Sequence, residues 1–414
     1  RIRPLTEPLP PIFDPLESDH QFAAYEISKG DPESAFEEAT LIVQGEYRVG
    51  HQEQLYIENQ AMIAEPREDG GITITGSMQC PYYVHSALKR ALDLTDEQAV
   101  ITQAETGGGF GGKEDYPSVV AIHAALLAQR VGKPVRMIYD RHEDIASTTK
   151  RHPAIVRYRS GVSASGRLIA QDIEVVMDGG AYCTLSPVVL SRGVLHAGGP
   201  YECPNVHIRG RSMATNTPPN GAFRGFGAPQ VGFAHEIQLS RIADELGVSP
   251  AELRRRWIYR EGGTTPSGQV LRESVAAEEV LREATEAADY EGVLEVSRQT
   301  RAVRWGQAQE AGAGFNSTRV RTASGIGIAM GWHGAGFTGS GEQKMGSTAG
   351  VELGADGVIR LLIANTEIGQ GTNTVMPMIV AEVLGVEPSE VELAPVDTSI
   401  VPNSGPTVAS RTVM

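Results

Sequence analysis

The run TGGGFGGKED, residues 106–115, is where residue types and spacing most clearly suggest chemistry. Gly107, Gly109 and Gly112 fit G-x-G-x-x-G, the turn that holds a dinucleotide's pyrophosphate. Glycine lets a bulky ligand approach the backbone, and a helix start offers free N–H groups and the positive end of its dipole to an anion. In the dinucleotide fingerprint, however, the helix begins within the glycines. Here KEDYP intervenes, and Pro117 suits the first helical turn. Lys113 is followed by Glu114 and not by Ser or Thr, so the run is not a phosphate-cradling P-loop either. Three more turns, at 78–81, 218–229 and 367–372, also run into helices and carry Gln79, Arg224 and Gln370 as donors. One such turn is ordinary. Four suggest one large polar, anionic cofactor touched from several sides. The plain alternative for Gln79 and Gln370 is simple capping of their helices.

The elements that must position these turns are legible from periodicity. GITITGS alternates as a strand, YYVHSALKRALDL has helical spacing, and AVITQAE is a second strand entering the glycines. DGVIRLLIANT, TVMPMIVAEVLGV and SEVELAPVD repeat that order, so 69–116 and 356–410 read as two copies of one unit. SGPTVAS in the second copy then answers TGGGFGG in the first. A long hairpin turns near Gly161 to Gly166. Helices follow, with Ser249 and Ser274 near their starts, and a short early helix, DPESAFEEA, has Asp31 as its N-cap. The expected fold is α+β, two related lobes with mixed sheets and helices around a cleft. Residues 1–45 read as a linker and the edge of a preceding domain, 46–296 as the first lobe, 297–318 as a linker, and 319–414 as a truncated second lobe.

Composition narrows the function classes. A hydrophobic share of 41% and a charged share of 21% are those of a globular protein. The net charge of −15 argues against a sequence-independent grip on nucleic acid. No apolar run approaches the roughly 20 residues of a membrane span, and no leader opens the chain. Cys80, Cys183 and Cys203 are too few and too scattered for an iron–sulfur cluster or a zinc ribbon. Free thiols suit a reducing cytoplasm. The chain opens at Arg1 and stops in GPTVASRTVM, which reads as a piece of something larger.

GGGFGGKE, AFRGFGAPQ, EIGQGTNT and VPNSGPTVAS, in this order, resemble the molybdenum-binding subunit of the xanthine dehydrogenase and aldehyde oxidase family. HQEQLYIENQAMIAEP (51–66) and DRHEDIASTTKRHP (140–153) resemble it too. The resemblance implies a molybdenum-bearing pyranopterin, in some members a dinucleotide, and hydroxylation of an electron-poor carbon with water-derived oxygen. It implies 2Fe-2S and FAD centres on other domains or subunits, an oligomeric enzyme, and no direct side-chain ligand to the metal. By the same resemblance Gln79, Phe110, Gly111 and Arg224 line the metal site, Gln370 and Gly371 hold the pterin, and Ala409 and Ser410 close the metal site. The family's general base, a glutamate, is expected beyond Met414, so the chain by itself is expected to be inactive.

Glu114 and Arg192 stand where purine-hydroxylating members carry a Glu and an Arg that hydrogen-bond the heterocycle, and Phe226 is expected to stack on it. The plain alternative is that Glu114 caps the helix at Pro117 and Arg192 pairs with a surface acid. Arg411 and the glycine-rich 331–341 stretch depart from the family pattern. The rival readings are an aldehyde oxidoreductase of the same family, a cofactor-free scaffold, and a nicotinamide dehydrogenase using Asp140.

Overall fold

The computed structural model describes residues 20–299, 325–337, 341 and 345–413. The proline-rich opening (1–19), most of the expected 297–318 linker and Met414 lie outside the described residues.

The largest sheet has five strands in the order β1-β9-β8-β7-β2. These are β1 (Gln21–Lys29), β2 (Leu41–Val49), β7 (Ala154–Val162), β8 (Leu168–Gly180) and β9 (Asn205–Ala214). β7 and β8 form the expected hairpin, with Gly166 at φ 76° in its turn. Period-two alternation brings Val156, Tyr158, Ile173, Val175, Met177 and Ile208 into one core. Against that core pack α5 (Ser186–His196), through Val189, Leu190 and Val194, and α6 (Ala228–Leu246), through Val231, Leu239 and Ile242. Each such buried aliphatic side chain contributes roughly 1.5–3 kcal/mol. α7 (Pro250–Trp257) follows α6 and is capped by Ser249, whose hydroxyl accepts from the Glu252 amide at 3.0 Å.

β1 corrects the expectation for residues 1–45. From Gln21 on, the chain is not a linker but an edge strand of this sheet, paired antiparallel with β9. Only Phe22 of β1 is buried, so the strand shows no clean alternation to betray it. Between β1 and β2, α1 (Pro32–Glu37) is capped by Asp31 as expected. Ser274 lies near the start of α8 (Ala277–Ala287), whose N-cap is Ala276 with no side-chain bond.

The second sheet runs β5-β4-β3-β6, built from β3 (Ala61–Pro66), β4 (Ile72–Gly76), β5 (Ala99–Gln103) and β6 (Val135–Ile138). β4 and β5 are parallel and joined by α2 (Pro81–Leu92). α3 (Pro117–Val131) packs on this sheet, with Pro117 in its first turn and Gly132 at φ 64° ending it. The third sheet, β10-β11-β12, comprises Gly350–Leu353, Ile359–Leu362 and Val391–Leu393. β11 and β12 are again parallel, joined by α9 (Thr372–Leu384). A parallel pair needs a crossover of this kind, and the two strand–helix–strand units are the repeat read at 69–116 and 356–410.

The two units meet at the edge of β5. Gln103 N donates to Val396 O at 2.9 Å, and Thr398 N donates to Ile101 O at 3.0 Å. The chain after β12 thereby extends the second sheet. The turns that follow β4, β5 and β11 come together beside that seam.

Candidate cofactor and substrate site

Gln79 joins the turns. Its Oε1 accepts from Gly111 N at 2.9 Å and Lys113 N at 3.4 Å, and its Nε2 donates to Thr407 O at 3.2 Å. Its carbonyl accepts from Thr407 N at 3.3 Å and Thr366 Oγ1 at 3.2 Å. Gln79 is buried and does not cap α2, whose N-cap is Cys80 with no side-chain bond. Through its side chain and its carbonyl together, this one residue ties the glycine turn of the first unit to both turns of the second.

The glycine turn is held from below by the 51–60 stretch. Gln60 Nε2 donates to Gly112 O at 2.8 Å, and a Cβ on Gly112 would strike the Tyr56 ring. Lys113 is buried against Glu58 at 2.9 Å and lies 4.9 Å over the Tyr56 ring. The turn's backbone is left-handed at Gly108, Phe110 (φ 52°) and Gly111 (φ 101°). A Cβ on Gly111 would lie 2.8 Å from Ala222 O, so only glycine lets the two turns touch. Phe110 O in turn accepts from Arg224 N at 3.0 Å.

Left-handed backbone recurs in the other turns: Gly225, Phe226 (φ 50°) and Gly227, then Gly369 and Gly371, then Ala409 (φ 55°) and Ser410 (φ 56°). Such conformations cost on the order of 1–3 kcal/mol at a non-glycine residue and cluster at ligand clamps. Successive N–H groups in them form anion-binding concavities. The N–H groups of Phe110, Ala409 and Ser410 find no acceptor among the described residues. These free donors on three left-handed residues fit a polar, anionic cofactor.

The turn before α9 is different. The carboxylate of Glu367 takes the amides of Gly369 at 2.7 Å, Gly371 at 3.1 Å and Asn373 at 3.0 Å, so this concavity is filled by the chain itself. Gln370 braces the turn locally, donating to Thr366 O at 2.9 Å and Thr372 Oγ1 at 2.6 Å. Through Thr366 it is two hydrogen bonds from Gln79.

Of the residues expected to face substrate, Glu114 is buried with no counter-charge among the described residues. Burial, reinforced by the charge of Asp115, pushes its carboxyl well above the usual range. It does not cap α3, which starts from Tyr116 without a side-chain bond. Arg192, on α5, is also buried and pairs with no acid among the described residues. Its Nη1 donates to Gly334 O at 2.6 Å and lies 3.3 Å from His333 Nε2, and its Nη2 donates to Gly336 O. Gly336 N donates to Ala409 O at 2.7 Å, which links Arg192 to the 409–410 turn. Phe226 is half-buried and packs against the main core, and the Arg224 side chain is exposed. Asp140, which a dinucleotide enzyme would need for a ribose, instead caps α4 (Arg141–Ser147), accepting from Glu143 N at 2.7 Å.

Sequence reasoning missed Thr366, Thr407, Glu367 and Arg151. Arg151 lies buried, 3.9 Å over the Phe223 ring, and donates to Arg224 O at 3.0 Å. Only Glu367 had a local signal, as an acid just before a glycine-rich helix start.

The family model for a molybdopterin cofactor-binding domain matches residues 13–258, and a second such model matches 298–414. The chain belongs to the molybdopterin-binding family of the xanthine dehydrogenases and aldehyde oxidoreductases. It is 34% identical over 386 residues to a probable xanthine dehydrogenase subunit of Bacillus subtilis, covering 93% of this chain and 48% of that protein. It is 34% identical over 404 residues to the xanthine dehydrogenase of Emericella nidulans, covering 96% of this chain and 28% of that one. The nicotinate dehydrogenase large molybdopterin subunit of Eubacterium barkeri is 37% identical over 262 residues, covering 63% of this chain and 61% of that one. The aldehyde oxidoreductase of Desulfovibrio gigas superposes with a TM-score of 0.79 at 28% identity, over 95% of this chain and 41% of that structure. The chain thus spans half or less of the length of the two xanthine dehydrogenase relatives. No helix among the described residues is long and apolar enough to cross a membrane.

Proposed function

We propose that this chain supplies cofactor-facing and substrate-facing walls of a molybdenum hydroxylase acting on a purine-like N-heterocycle. The observation that carries the substrate class is Glu114: a buried carboxyl without counter-charge among the described residues, directly after the turn that Gln79 locks. Held protonated, it can donate to a ring nitrogen, a partner that a heterocycle has and a simple aldehyde lacks. Arg192 complements it, since among the described residues its buried guanidinium is met only by carbonyl dipoles and His333 and can answer charge building on a heterocycle oxygen. Phe226 would stack on the ring.

On the cofactor side, the free amides of Phe110, Ala409 and Ser410 would hold it, with Gln79, Gly111 and Arg224 around them; Gln370 and Gly371 would border it on the second unit, where Glu367 already takes the Gly371 amide. When bound, the molybdenum pterin supplies the oxidation of an electron-poor carbon. Electrons would leave through 2Fe-2S and FAD centres on other domains or subunits of an oligomeric enzyme. The buried free thiols of Cys80 and Cys203 suit a cytoplasmic setting. The likeness to an aldehyde oxidoreductase structure supports aldehyde oxidation as the second reading.

Kinetics of the full-length enzyme separate the two. Arg192→Met should cut kcat on xanthine-like substrates about a hundredfold, the loss of roughly 3 kcal/mol of transition-state stabilisation, and spare aldehydes. Glu114→Val should act in the same direction by loosening ring orientation. Equal losses on both classes, compared as kcat/KM, would retire the heterocycle assignment.

A further inference from the structure

We propose that residues 330–336 form a strap seated by Glu236 and His196, and that these two are positioning residues for Arg192. The strap crosses from the second-lobe side onto α5 and α6. At its start, Met330 N donates to Glu236 Oε2 at 2.8 Å. Glu236 is itself fixed: Arg254 reaches Oε2 at 2.8 Å, while the Tyr201 hydroxyl at 2.5 Å and His235 Nδ1 at 3.0 Å reach Oε1. A buried carboxylate with all its acceptor capacity used does not wander. In the middle of the strap, Trp332 stacks on Tyr259 with ring centroids 5.7 Å apart.

Next, Gly334 N donates to His196 Nε2 at 3.2 Å. His196 Nδ1 lies 2.8 Å from Arg192 O, a carbonyl that can only accept, so Nδ1 carries the proton and Nε2 is the acceptor. Burial holds this imidazole neutral, pushing its pKa down to about 4. At its far end the strap presents the carbonyls of Gly334 and Gly336 to the Arg192 guanidinium, and Gly336 N reaches the 409–410 turn. Arg192 has no carboxylate partner among the described residues. Carbonyl dipoles on the strap therefore decide where its charge points, and His196 and Glu236 decide where the strap lies.

The kinetic consequence rests on Arg192 reading the heterocycle, and the placement of the strap does not. The test uses the full-length enzyme with His196→Leu, which removes the acceptor for Gly334 N, and His196→Gln, whose amide oxygen can replace it. Glu236→Gln is the less useful variant, because it strips a buried Arg254 of its counter-charge and endangers folding. Amide exchange at Gly334 and phenylglyoxal labelling of Arg192 are read by mass spectrometry. His196→Leu should speed both by about tenfold or more, and His196→Gln should reverse the change. Unchanged exchange and labelling in His196→Leu, or no recovery in His196→Gln, would overturn the strap. The same variants are compared by their kcat/KM ratio for heterocycle over aldehyde. If Arg192→Met shifts that ratio and His196→Leu does not, the positioning role is wrong. If Arg192→Met leaves it unchanged, the heterocycle reading falls and the labelling alone decides the strap.

Discussion

Asp115 shows how much a single residue beside the site can cost. It is half-buried, its Oδ1 is shut from solvent without a partner, and burial raises its pKa to about 6 against bonds from its own and Tyr116's amides. A carboxyl raised on folding stabilises the protonated protein, and that stability is lost as pH rises from about 4 through about 6. Relative to Asp115→Asn, urea unfolding of the wild type should show a fall over this window of no more than about 3 kcal/mol, the equivalent of two pKa units. A parallel pH profile for the two proteins would contradict it. At this scale the sequence singled out Gln79 and Glu114 from their motifs, and both lie buried at the glycine turn. Thr366, Thr407 and Glu236 were not readable. They meet backbone or side-chain partners 94 to 328 positions away, and nothing in their neighbourhoods marks them.

At the scale of elements, periodicity and caps carried far. The α2, α3 and α9 helices and the β7–β8 hairpin lie where apolar spacing and turn residues put them, whereas β1 was hidden because one buried residue makes no pattern. The start of α6 depends on Gly227, whose φ of 100° and contact with α5 leave no room for a side chain: a Cβ would strike Val189 O. Gly227→Ala should therefore lower stability by roughly 2–4 kcal/mol in urea unfolding, through strain and the forced parting of α5 from α6. The start of α9 depends on Glu367 instead. Glu367→Ala strips three amides of their acceptor and should cost about 1–2 kcal/mol, with faster exchange confined to 369–373. Unchanged exchange there would mean that solvent satisfies those amides equally well.

For the whole molecule, the seam at β5 joins the two units. Thr398 Oγ1 accepts from Ile101 N at 3.0 Å, and Tyr82 donates to Val401 O at 2.6 Å. Thr398→Ala should leave the Ile101 amide without a partner, costing roughly 1–3 kcal/mol and raising its exchange rate; a silent amide at 101 would show that the seam does not depend on this bond. The order of elements in the two units was legible in the sequence, but the edge-to-edge join was not, because SEVELAPVD (389–397) reads as a strand without showing which strand it pairs with. That join has a consequence in time. Gln79 and Thr407 are 328 positions apart, and Arg192 and Gly336 are 144 apart, so the ligand-facing corner closes only after very long loops have been brought together. Contacts of such separation form late, since the entropy of loop closure is spent before they return any energy. A corner that closes late stays open while more local contacts form, and that interval is when a bulky cofactor would have room to enter.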